Sequence, residues 1–167
     1  MRHFTYTFTL LSALLLSWTA EAAGFEFLGP QGDWDVFADK KSNASVCYIA
    51  SVPSKASHTD KRGDIYVLVT IRKSEGLKDV VSFHQGYPLD KSKDVQVTIG
   101  SANFKLFASG ETAWTYETKD DQRLVKMMKA GATMNAVGIS TRGTKTTDTY
   151  SLKGISAAYA AMRNACS

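Results

Sequence analysis

Asp64-Ile65-Tyr66-Val67-Leu68-Val69-Thr70-Ile71-Arg72 is the stretch that decides the fold. Ile65, Val67, Val69 and Ile71 alternate onto one face of an extended chain, and Tyr66 and Leu68 onto the other. Apolar side chains on both faces predict a central strand covered on both sides. Similar runs lie on either side of it. Trp34 to Ala38 and Val46 to Val52 precede it, and Val80 to Gln85 follows. Val95, Val97 and Ile99 alternate with Gln96 and Thr98, the pattern of a half-buried strand. Gly100-Ser101-Ala102-Asn103 turns that strand into Phe104 to Ala108, and Thr112 to Tyr116 adds a short one. Met134 to Ile139 and Thr146 to Lys153 form a closing hairpin across Arg142-Gly143-Thr144.

Two helices interrupt the strands. Asp120 or Asp121 can cap the first, Leu124, Val125, Met127 and Met128 form its apolar stripe, and Gly131 ends it. In the second, Ile155, Tyr159, Met162 and Cys166 recur at helical spacing, which puts Cys166 on the buried face within reach of a strand. The expected fold is mainly β, an antiparallel sandwich or barrel of about eight or nine short strands with two short helices.

The N-terminus sets the compartment. Met1-Arg2-His3 is a short basic start, Phe4 to Trp18 carries no charge, and Ala20-Glu21-Ala22 supplies small residues where a signal peptidase cuts. Residues 1–22 therefore read as a secretory signal peptide and residues 23–167 as one β-rich domain. The apolar run is shorter than the roughly 20 residues a spanning helix needs, so the processed chain is not expected to span a membrane. With no cysteine at the cleavage point, a lipid anchor is not expected. The expected location is outside the cytoplasm: periplasmic, associated with the outer membrane, or secreted.

Cys47 and Cys166 are the chain's 2 cysteines. In an oxidising compartment such a pair reads as one disulfide, with free thiols or a metal site as the rivals. The bridge would close a loop of about 120 residues, worth on the order of 4–5 kcal/mol in the chain-entropy account. The net charge of +4 is mild and lacks the dense Lys/Arg clustering of nucleic-acid binders. A weak preference for anionic surfaces, such as lipopolysaccharide or host glycans, is compatible with it.

Catalytic signatures are missing. His58 sits in a polar loop and His84 in a strand, neither with the partners of a nucleophile triad. Gly138 to Gly143 misses the nucleophile-elbow spacing, and there is no phosphate loop or dinucleotide fingerprint. The chain lacks enough ligands of the usual kind for zinc. Asp33 and Asp35 share a strand face around Trp34, but an inward Trp34 would leave both acids simply solvated. No enzyme activity, cofactor or metal is expected. Two binding features remain. Arg62-Gly63-Asp64 is an adhesion tripeptide, although Asp64 abuts the central strand and Gly63 can be read as easing a turn. Trp34, Trp114 and Tyr116 could form a stacking platform for sugar rings.

Several blocks resemble one family. Gly32-Asp33-Trp34 is followed by Val46-Cys47-Tyr48-Ile49-Ala50-Ser51, then by Lys61 to Thr70. Val95-Gln96-Val97-Thr98-Ile99-Gly100 precedes Phe104-Lys105-Leu106-Phe107, and the tail carries Arg142-Gly143-Thr144, Thr147 to Gly154 and Cys166. In this order they resemble the invasion-associated locus B family of exported Gram-negative proteins. The resemblance implies a small envelope protein with no established reaction, in a family whose founding member is linked to entry into red blood cells. It supports the Cys47–Cys166 pairing and places Arg62-Gly63-Asp64 within a family block. The expected partner is a protein or glycan in the envelope or on host cells.

Overall fold

The computed structural model describes residues 24–39 and 46–167. The signal peptide read at residues 1–22 lies outside them. Every run read as a strand forms one, and the antiparallel, mainly β class is the expected one. In chain order the strands are β1 Glu26–Gln31, β2 Trp34–Asp39, β3 Val46–Ser51, β4 Lys55–Ala56, β5 Tyr66–Arg72 and β6 Leu77–His84. They continue with β7 Val95–Ile99, β8 Ala102–Ser109, β9 Thr112–Thr115, β10 Thr133–Ile139 and β11 Lys145–Ser151. β1 and β4 are the strands beyond those expected. β1 contains Gly29 and Pro30, which break any alternation and are tolerated because it is an edge strand. β4 is only 2 residues long, too short for a periodicity.

All 11 strands belong to one sheet, in the order β1-β2-β3-β5-β6-β9-β8-β7-β10-β11-β4. It is neither two stacked sheets nor a closed ring, because β1 and β4 remain as edges. The sheet curls until the β1–β2 turn meets the end of β11. There the Asp33 amide donates to the Lys153 carbonyl at 3.0 Å, and Trp34 Nε1 donates to the Ser151 carbonyl at 3.1 Å. The approach requires glycine. Gly154 has φ +92°, and a Cβ on it would stand 2.0 Å from the Gln31 carbonyl oxygen.

The inner face carries the core: Trp34, Val36, Ile49, Val67, Val69, Phe83, Leu106 and Tyr150 are buried. Each large side chain buried there is worth roughly 1.5–3 kcal/mol relative to exposure. β5 is central, between β3 and β6, but it is covered on one face only. Tyr66, Leu68 and Thr70, on its outer face, are half-buried.

Helix α1, Thr118–Ala130, buries Leu124, Val125 and Met128. Neither Asp120 nor Asp121 caps it; the helix starts from Glu117 in extended backbone, with no side-chain capping bond. Asp121 instead points into the fold, where Oδ1 accepts the Val81 amide at 2.9 Å. Helix α2, Ile155–Ala165, packs on β2 and β3 and ends at Cys166, which is bonded to Cys47. Cys47 shares the inner face with Ile49, so the disulfide pins α2 inside the curl.

Candidate functional site

With the helices on the inside, the outer face of the sheet is where aromatic side chains collect. Alternation decides which they are. On β2 and β3 the buried Val36, Ala38, Cys47 and Ile49 leave Phe37 and Tyr48 outward. Those two are cross-strand partners, stacked with centroids 4.8 Å apart. Phe27 on β1 packs on Phe37 at 5.3 Å, and Phe25 meets Tyr48 edge-on at 4.9 Å. Phe25 and Phe27 are 45% and 55% exposed, so this cluster faces water.

A second cluster lies across the sheet. Phe107 on β8 is the ladder partner of Trp114 on β9, and Tyr116 tilts against Phe107 at 5.4 Å. Tyr116 is 58% exposed, and its hydroxyl donates to Asp94 Oδ1 at 2.7 Å, which pushes its pKa up and keeps it protonated. A ladder row runs from beside the first cluster to the second: Ala50, two residues along β3 from Tyr48, is followed by Leu68, the buried Ser82, Trp114 and Phe107 as successive partners. At normal strand spacing that row spans about 20 Å. Beside it Tyr66 stacks on His84 at 4.8 Å, and the His84 ring meets Thr112 Oγ1 and Glu111 Oε2. Burial, reinforced by Tyr66, raises the pKa of Tyr48, so its hydroxyl is neutral at neutral pH.

The structure divides the expected binding residues. Trp114 and Tyr116 come together outside, but Trp34 is fully buried with its indole N–H committed to Ser151, and it belongs to no stacking platform. Phe107 takes that place. Its position was legible: Phe104 and Leu106 are the buried positions of β8, which leaves Phe107 on the Lys105 side. Asp33 and Asp35 are exposed around Trp34, and both line a cleft of about 400 Å³ at the seam.

The tripeptide is not an adhesion loop. The Arg62 side chain is 2% exposed and Asp148 is fully buried, and they pair through Nη1–Oδ1 at 2.6 Å and Nη2–Oδ2 at 2.7 Å. Arg62 Nε and Nη1 also donate to the carbonyls of Gln85 and Ser57. An arginine held by four bonds inside the fold cannot reach a receptor. The Gly63 amide donates to the Gly86 carbonyl at 2.8 Å, and it is Gly86, at φ +69°, that makes this close backbone approach possible. Only Asp64 of the three has an exposed side chain. Among the described residues no group of His, Cys, Asp and Glu could hold a metal ion. Nor is any helix among them long and apolar enough to cross a membrane.

Comparison with known proteins places this geometry. The family described as Invasion associated locus B (IalB) protein matches residues 34–163. No match is found among curated proteins. Among solved structures, the crystal structure of invasion associated protein b from Bartonella henselae aligns with a TM-score of 0.56. The two are 15% identical, over 81% of this chain and 95% of that one, so the likeness is one of fold.

Proposed function

This chain belongs to the invasion associated locus B family, and from that premise we propose an exported, non-enzymatic envelope protein that contributes to host-cell entry. It works by contact, through the outer face of a disulfide-pinned sheet. The observation that carries this reading is the pair of exposed aromatic clusters on the one outer face of the sheet. Large rings facing water are characteristic of surfaces that meet a partner. The Cys47–Cys166 bridge supports export, since such bonds persist in oxidising compartments.

A deletion strain complemented with wild type or with Phe107→Ser/Tyr116→Ser tests the reading. Wild type restores host-cell entry and the variant, exported at equal level, does not; equal entry by both overturns it.

A second reading, favoured by the exposure of Tyr116 beside Phe107 and Trp114, is a glycan-binding module. Aromatic faces stack on sugar rings, and the Tyr116 and Asp94 oxygens beside them can hydrogen-bond sugar hydroxyls. A glycan array screened with wild type and with Trp114→Ala separates the readings. Discrete hits lost in the variant support the glycan module, and an array without hits removes it.

A further inference from the structure

We propose a site separate from the aromatic face, where the cleft between the 58–62 loop and the β10–β11 turn binds an anionic group, phosphate or carboxylate, carried on a sugar. The cleft has a volume of about 330 Å³, enough for one substituted sugar ring. Its floor is buried and polar, made by Arg62, Tyr87, Ser140 and Thr146. Its rim is exposed and cationic: Lys61 and Arg142 stand there with His58 and Thr144.

Counting donors on the floor identifies the ligand class. Arg62 has five N–H groups, and the bonds to Gln85, Ser57 and Asp148 account for four, leaving one on Nη2. Ser140 Oγ accepts the Thr144 amide at 3.1 Å, so its own proton is available to donate. Tyr87 and Thr146 share a hydroxyl–hydroxyl bond, and Tyr87 also reaches Gln85 Oε1 at 3.4 Å. Behind them Gln85 Nε2 is buried with no partner among the described residues.

Acceptors are scarce by comparison. No carboxylate lines the cleft, and Asp148, which lies behind Arg62, is taken up by it. A buried floor with unspent donors beneath a rim of two cations suits an oxyanion and disfavours a cation. Asp148 holds the Arg62 guanidinium in place at the floor of the cleft.

The test is an NMR titration of the disulfide-bonded protein with two probes, N-acetylneuraminic acid for a host-type carboxylate and glucosamine phosphate for an envelope-type phosphate. N-acetylglucosamine is the uncharged control. At least one charged probe binds, with shifts centred on Ser140 to Thr146 and Tyr87, and the tighter of the two names the source. Lys61→Gln and Arg142→Gln, both on the exposed rim, each weaken binding about tenfold. Lys126→Gln, an exposed lysine on α1 away from the cleft, leaves it unchanged, and because the cleft shares no residue with the aromatic face, failure here leaves the aromatic-face reading standing. The proposal is overturned if neither charged probe binds at millimolar concentration. Equal binding of the uncharged sugar, or unaltered binding by the Lys61→Gln/Arg142→Gln double variant, overturns it as well.

Discussion

Trp34 and Trp114 lie on strands of one sheet, yet they do opposite things. Trp34 points inward, where it fills the core and ties the β1–β2 turn to β11 through its indole N–H. Trp114 points outward, between Ser82 and Phe107 in the ladder. The contrast holds for the two surfaces as wholes. The inner surface pairs the charged groups it buries, with Arg62 on Asp148 and Asp121 accepting the Val81 amide. The outer surface leaves large rings in water that the core does not need. Stability should therefore reside inside and recognition outside.

Asp148→Asn should break the inner surface most severely. It leaves the buried Arg62 guanidinium without its counter-charge, a loss of roughly 3–5 kcal/mol, read as a lower urea midpoint. Reduction, or Cys47→Ala/Cys166→Ala, frees α2 from β3 and should cost about 2–5 kcal/mol in the same measurement.

A subtler inner effect concerns pH. Burial holds the Asp121 carboxyl above its ordinary 3.8, against the opposing bonds from Val81 and Thr115. A carboxyl raised in the folded state stabilises the protein below its unfolded pKa and loses that contribution as pH rises through the folded value. Asp121→Asn keeps an acceptor for the Val81 amide and cannot ionise. Relative to this variant, wild type should therefore lose stability as pH rises above about 4, visible as diverging melting temperatures. Parallel melting curves would remove Asp121 from the account.

The smallest stability effect is expected outside. Phe107→Ser or Tyr116→Ser should change unfolding free energy by about 0.5 kcal/mol or less, as surface substitutions do, while abolishing partner binding. A large destabilisation would make the outer rings structural and erase the division.

Period-2 alternation made the inner surface legible, since Val67 and Val69 or Val95 and Val97 can only be read one way. It misjudged β5, because apolar Tyr66 and Leu68 look like core when they are in fact a half-covered outer face. β4 and the curl were illegible: both depend on contacts more than 90 residues apart in sequence, such as Ser54 on Thr149 and Asp33 on Lys153. The tripeptide misled for the same reason. Nothing near Arg62 in the chain announces Asp148, 86 residues away. The disulfide was legible because a pair of cysteines in a chain whose sequence reads as exported has few alternatives.

The central claim, that recognition belongs to the outer face, is tested most directly by erythrocyte binding of purified wild type and of Phe107→Ser/Trp114→Ser/Tyr116→Ser, with melting temperatures measured alongside. The account predicts saturable binding by wild type and its loss in the variant, with both melting within a few degrees of each other. Equal binding by the two proteins would contradict it.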